Sequence, residues 1–217
     1  MVACGPLRGA RFVTFEGLDG SGKSTQLELA ARWLADSAVP HAVTHEPGGT
    51  ALGQRLRDLF LDAGSPDDAI VEALLLFASR RLNLEQVIEP ALAAGRHVLC
   101  DRFTDSTVAY QAYGRGLALD TVRQLEMLTI GGRRPDLTLW FDVDLDVARS
   151  RRGAGERPDD RLDAESRAFR LRVRQGYVAL AAAEPQRIVR IDADRGLEEV
   201  ASRVRETLAE RLGLPGA

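Results

Sequence analysis

Short apolar runs alternate with longer amphipathic stretches along the whole chain. Arg11–Glu16 (RFVTFE) is β-branched and aromatic, which predicts a first strand. In Ser24–Asp36, Leu27, Ala31 and Leu34 recur at helical spacing. His41–Thr44 predicts a second strand, and Leu52, Leu56, Leu59 and Phe60 mark the next helix. A helical pattern runs through Val71–Ala94 until Gly95 ends it, and Pro90 predicts a kink within it. His97–Asp101 predicts a third strand, Thr121–Ile130 a helix stopped by Gly131 and Gly132, and Leu137–Val143 a fourth strand. Asp146–Arg152 opens another helix, and Ala164–Ala183 carries Phe169, Val173, Tyr177 and Leu180 at helical spacing. Arg187–Ile191 predicts a fifth strand, and Leu197, Val200, Val204 and Leu208 share one face of a last helix.

Apolar strands alternating with helices imply an α/β fold: a five-stranded parallel sheet covered by helices on both faces. A length of 217 residues suits one domain, expected over residues 11–217, with residues 1–10 as a flexible tail. Ligands of such folds bind beyond the carboxyl ends of the strands, so the chemistry is expected just after strands one to four.

Composition sharpens this picture at two points. The net charge of −3 argues against broad nucleic-acid binding, and no apolar run is long enough to cross a bilayer, so no membrane partner is expected. Cys4 and Cys100 have no metal-type spacing, and His41, His45 and His97 form no zinc pattern. A thiol in the apolar run His97–Cys100 suits a reducing cytoplasm. The second point is Lys23, the single Lys among 29 basic residues, which leaves 28 Arg. A chain that uses Arg nearly everywhere keeps a compact ammonium at this position, where a planar guanidinium would not fit inside a ring of backbone amides.

That Lys sits in Gly17-Leu18-Asp19-Gly20-Ser21-Gly22-Lys23-Ser24, which matches G-x-x-x-x-G-K-[ST] between a predicted strand and a predicted helix. Glycines let backbone amides turn inward to cradle phosphate, and the helix N-terminus favours an anion. Gly17 to Ser24, with Thr25 after it, are therefore the expected ATP-binding segment; Lys23 bridges the β- and γ-phosphates and the Ser24 hydroxyl ligates Mg²⁺. A GTPase would need an NKxD-type guanine reader. The one Asn, Asn83, is followed by Leu84, so a small-molecule phosphotransferase is the leading class.

Glu46-Pro47-Gly48-Gly49-Thr50 follows strand two, and Asp101-Arg102 ends strand three. Pro-Gly-Gly is also ordinary turn chemistry, and Asp-Arg also suits a salt-bridged strand end. At the crevice, however, Glu46 and Asp101 can hold Mg²⁺, Asp101 through water, and Arg102 can clamp a phosphate.

GLDGSGKS, EPGGT, FASRR and DRFTDSTVAYQ, at these separations, resemble the bacterial thymidylate kinase family from about Phe12 to the end of the chain. The resemblance implies a P-loop nucleotide kinase that phosphorylates thymidine monophosphate (dTMP) with ATP and Mg²⁺, works as a cytoplasmic homodimer, and supplies dTTP for DNA synthesis. It implies that Asp19 meets the acceptor sugar 3′-hydroxyl and that Arg57 and Arg102 contact the acceptor phosphate. Phe77 stacks on thymine, and Arg80 reads its carbonyl, with Arg81 as the alternative register. Thr107 and Gln111 bond the base edge, and Tyr110 crowds the sugar 2′ position.

Arg149, Arg151, Arg152, Arg157 and Arg161 crowd one short segment together with Gly153 and Gly155. A run of charge is usually a solvated loop. In a nucleotide kinase this place, at about 149–161, is a lid that brings Arg to the transferring phosphoryl group. Some family members carry a catalytic Arg in the P-loop. This chain has Gly20 there, so the lid is expected to supply it, with Arg151 or Arg157 on phosphate, Arg149 against adenine, and Arg161 pairing with Asp163 or Glu165. One departure is His45, where the family often has Arg before EPGGT. The competing readings are a kinase for another monophosphate and a non-catalytic nucleotide-dependent switch.

Overall fold

The computed structural model describes residues 9–62, 64, 68–153 and 165–214. Among them the element order is β1 (Phe12–Gly17), α1 (Lys23–Asp36), β2 (His41–His45), α2 (Ala51–Leu61), α3 (Ala69–Asn83), α4 (Glu89–Ala93), β3 (His97–Asp101), α5 (Thr104–Thr107), α6 (Leu119–Ile130), β4 (Leu137–Asp142), α7 (Leu145–Gly153), α8 (Arg167–Ala183), β5 (Ile188–Asp192) and α9 (Leu197–Leu212). The strands form one parallel sheet in the order β2-β3-β1-β4-β5, as the alternation predicts.

Side chains alternate across each strand, so one strand feeds two cores. Val13 and Phe15 of β1 join Leu99, Leu139, Leu27 and Leu34 of α1, and Val204 and Leu208 of α9. Phe12 of the same strand joins Val98 and Cys100 of β3 with Leu84, Ile88, Ala91 and Phe103 on the other face. Burial raises the pKa of the Cys100 thiol well above its usual range. Each wholly buried side chain of this kind contributes about 2 kcal/mol.

The predicted helix Val71–Ala94 is three successive segments. α3 is capped by Asp68, whose carboxylate accepts from the amides of Ile70 and Val71. A π-helical turn over Leu84–Ile88 follows, and α4 begins at Glu89 with Pro90 in its first turn. The wider turn closes with Glu89 N–H on the Leu84 carbonyl, so the chain reaches Pro90 at a helix start, where a missing donor costs little. A second difference lies after β3. The residues from Thr104 to Gly114 are helical, α5 passing into a π-helical stretch at Val108–Gly114, although their polar, β-branched composition gives no clear period.

Among the described residues, no helix is long and apolar enough to span a membrane. Residues 1–8 of the expected tail, and Arg157, Arg161 and Asp163 of the expected lid, lie outside the described residues.

Candidate active site

The P-loop leaves β1 at Gly17 and enters α1 at Lys23. Gly17 has φ +148°, and a Cβ there would stand 2.6 Å from the Phe141 carbonyl of β4, so only glycine fits. Gly22, left-handed at φ +85°, precedes α1 without any side-chain cap. The first amides of α1 therefore have no side-chain partner, which is the arrangement that receives phosphate. Lys23 is buried within this loop, and its ammonium reaches Asp19 Oδ1 at 3.3 Å. Ser21 Oγ is buried with no hydrogen-bond partner, while Thr25 is exposed on the first turn of α1.

Ser24 Oγ donates to Asp101 Oδ2 at 2.5 Å, and Asp101 Oδ1 is buried with no hydrogen-bond partner. A hydroxyl and a carboxylate with a spare oxygen, beside a phosphate loop, are hard donors that suit Mg²⁺. Glu46 does not share in this pair. Its Oε2 accepts from Arg80 Nε at 2.6 Å and its Oε1 from Asn83 Nδ2 at 3.0 Å. Burial raises its pKa, against the opposing pull of Arg80. One oxygen thus holds Arg80 and the other Asn83, and a metal would have to displace one of those donors.

The Glu46-Pro47 bond is cis, and the turn after it is tied to α3. Gly48 N–H donates to Ser79 Oγ at 2.9 Å, and a Cβ on Gly49 would collide with Asn83 Oδ1 and Thr44 Oγ1 at 2.5 Å. Thr50 then caps α2 by accepting from Gly53 N–H. Arg57, one turn further on, donates to the Pro47 carbonyl at 3.0 Å. His45 is exposed, with its ring against Gly48.

Arg102 has φ +70°, a rare conformation for a residue with a side chain. Its guanidinium is held from several sides. Nη1 donates to the Gly17 carbonyl at 2.9 Å and to Ser106 Oγ at 3.0 Å. Nη2 donates to Asp19 Oδ1 at 2.6 Å and to Tyr110 Oη at 3.3 Å. Burial would raise the Asp19 pKa, but the charges of Arg102 and Lys23 outweigh it and hold the carboxyl well below the usual range. Burial also pushes the Tyr110 hydroxyl above its ordinary value.

Between the P-loop, α2, α3 and the helical segment after β3 lies a cavity of about 550 Å³ including its open mouth. Asp19, Glu46, Arg57, Arg80, Arg102, Thr107, Tyr110 and Gln111, all singled out from the sequence, line it together. Three buried polar atoms among these residues have no hydrogen-bond partner: Arg80 Nη1, Thr107 Oγ1 and Gln111 Oε1. Buried polar atoms are rarely left so, and three around one cavity mark it as a place for a polar ligand. The adjacent arginines differ in burial. Arg80 is 2% exposed and faces the cavity, whereas Arg81 points outward and pairs with Glu85. Phe77 is not among the lining residues; its ring is buried with Ala73, Ala112 and Val122 under the Arg80 guanidinium, 4.8 Å away.

Arg151 Nη1 donates to the Ala193 carbonyl at 2.8 Å, while exposed Arg149 pairs with Asp146. Several residues that hold the site carry no motif. Glu16 is buried on β1 and accepts from Phe103 N–H, Ser106 Oγ and Tyr177 Oη. Burial, aided by Asp105, pushes its pKa up to about 7. Glu72 holds Gln111, and Arg115 holds Glu72. A signal for them exists: Glu16 and Glu72 are lone carboxylates inside otherwise apolar runs, and such residues are rarely buried without a partner.

A family model described as thymidylate kinase matches residues 15–204. A thymidylate kinase of Nostoc punctiforme is 44% identical over 95% of this chain and 100% of its own length. One of Cupriavidus metallidurans is 50% identical over 92% of this chain and 98% of its own. A crystal structure of thymidylate kinase from Ehrlichia chaffeensis superposes with a TM-score of 0.74 at 36% identity, covering 92% of this chain and 98% of that one.

Proposed function

From a chain that belongs to the thymidylate kinase family, and so phosphorylates dTMP to dTDP, we propose an assignment of each site residue to that reaction. The observation that carries it is the convergence of the unpartnered Arg80 Nη1, Thr107 Oγ1 and Gln111 Oε1 on a cavity whose P-loop end is Arg102 and Asp19. The pyrimidine edge of thymine offers a carbonyl and an N–H. The carbonyl takes the Arg80 donor, and the N–H gives to Gln111 Oε1. Tyr110 and Asp19 meet the sugar, and Arg57 and Arg102 the acceptor phosphate. Phe77 supports the Arg80 guanidinium from beneath.

ATP binds through the amides of Gly17 to Thr25, with Lys23 on its β- and γ-phosphates. An acceptor phosphate oxygen forms the new bond to the γ-phosphorus, and the bond from that phosphorus to the β-bridging oxygen breaks. The nucleophile is already an anion, so catalysis is positioning and charge neutralisation. Ser24 and Asp101 would hold Mg²⁺, and the ion would supply positive charge to the phosphate oxygens. Arg151 or Arg157 neutralises the transferring group from the lid at about 149–161, and Arg149 packs on adenine.

The active form is a cytoplasmic homodimer in this reading. Leu52 of α2, Leu74 of α3, and Met127 and Leu128 of α6 are exposed apolar residues on helices that pack side by side, which supports an interface there. Sedimentation at micromolar protein is expected to give twice the chain mass.

A coupled ADP-release assay with ATP, Mg²⁺ and dTMP, dUMP, AMP, GMP or CMP tests the acceptor assignment. Strong preference for dTMP is expected. Preference for a purine monophosphate would refute the roles of Arg80 and Gln111.

A further inference from the structure

We propose that Glu72, backed by Arg115, is a specificity-positioning pair that fixes which end of the Gln111 amide faces the acceptor base. The proposal rests on the acceptor-site assignment above. A side-chain amide is ambivalent, since one end donates and the other accepts, and the two ends are nearly the same shape. At Gln111 that ambiguity is removed from behind. Gln111 Nε2 donates to Glu72 Oε2 at 2.8 Å, and both residues are 1% exposed. The other Glu72 oxygen, Oε1, lies 3.2 Å from Arg115 Nη2. A carboxylate paired with a guanidinium presents acceptors only, so it accommodates the amino end of the amide and rejects the carbonyl end. Gln111 Oε1 is thereby left buried, without a hydrogen-bond partner, on a residue that lines the acceptor cavity.

Arg115 is itself fixed. Its Nη1 pairs with Glu165 at 2.5 Å, and its guanidinium lies over the Phe169 ring at 4.9 Å. The orientation of Gln111 is therefore built into the packing of α3 and α8 against the helical segment that carries it.

The consequence is chemical. An amide oxygen facing the base accepts from the ring N–H of thymine or uracil. Cytosine has a bare ring nitrogen at that place, an acceptor against an acceptor. With the amide free to turn, its amino end would meet the cytosine nitrogen. Glu72 thus discriminates between bases without touching either one, and the two residues are positioning residues.

The test compares wild type, Glu72→Gln and Gln111→Ala in steady-state kinetics with dTMP and dCMP, alongside thermal melts. Glu72→Gln keeps the shape but can accept or donate, so Gln111 is no longer held in one orientation. The expected result is a rise of about tenfold in the dCMP-to-dTMP ratio of kcat/KM, the size of one relieved hydrogen-bond mismatch, carried mainly by KM. A purely structural lesion would lower both acceptors alike and leave the ratio unmoved. An unchanged ratio in Glu72→Gln together with a changed one in Gln111→Ala overturns the proposal while keeping Gln111 as a base reader. An unchanged ratio in both overturns the acceptor-site assignment, and the proposal with it. Should Glu72→Gln melt far below the wild type, Glu72→Asp carries the same test, because it withdraws the carboxylate from Gln111 by one methylene while keeping its charge near Arg115.

Discussion

Arg102 Nη2 and Asp19 Oδ1 stand 2.6 Å apart, joining the end of β3 to the phosphate loop across the crevice. In the proposed assignment, acceptor phosphate and sugar would be gripped by groups that hold each other. Asp19→Asn keeps the shape and removes the charge. With dTMP its kcat/KM is expected to fall about 10- to 100-fold, the size of a hydrogen bond to a charged group. With an acceptor lacking the 3′-hydroxyl, the difference between wild type and variant is expected to shrink. An undiminished difference would show that Asp19 acts only through Arg102.

Lys23 is buried in the loop, with its ammonium beside Asp19. Lys23→Ala is expected to lower kcat at least about 10²-fold while the melting temperature stays unchanged. Lys23→Arg is expected not to restore the rate, although it restores the charge. Near-wild-type turnover in either variant would refute the assignment of Lys23 to phosphate.

The contact from Ser24 Oγ to Asp101 Oδ2 predicts a shared dependence on Mg²⁺. Asp101→Asn and Ser24→Ala are each expected to raise the Mg²⁺ concentration for half-maximal rate about tenfold at fixed ATP. The double variant is expected to lose less than the two separate effects combined, because both groups would serve one ion. A Mg²⁺ titration identical to wild type in both single variants would remove these residues from the metal site.

Glu16 predicts how stability varies with pH. Its pKa is pushed up to about 7 in the folded protein by burial and by Asp105, from an ordinary value of 4.5. Between those values the folded chain binds a proton that the unfolded chain has released. This group's contribution is therefore fully present below about pH 4.5 and is lost as pH rises through about 7. Glu16→Gln is expected to keep the hydrogen bonds to Ser106 and Tyr177 in altered polarity and to flatten the melting temperature over that window. Chemical denaturation from pH 4.5 to 7.5 measures it, and an equal slope in wild type and variant would assign the pH dependence to other groups.

Much of this protein was legible in one dimension, for a physical reason. Continuous apolar, β-branched runs record strands covered on both faces, and a 3.6 period records which side of a helix meets the core, so β1 to β5 and most helices could be read from the sequence. A phosphate loop needs glycines, a lysine and a hydroxyl consecutively, and Gly17 to Ser24 are consecutive. What stayed hidden depends on partners far apart in the chain. Nothing local says that Arg80 rather than Arg81 faces the cavity; that follows from Glu46, 34 residues earlier, and the Phe103 carbonyl, 23 later. Nor does anything local say that Arg80 and Asn83 occupy the two oxygens of Glu46. The π-helical turns that aim Tyr110 and Gln111, and the Glu72–Arg115 contact behind Gln111, exist only once the helices pack. A sequence records which groups need burial or a phosphate, whereas the direction in which an ambivalent group points is decided by whatever the fold sets behind it.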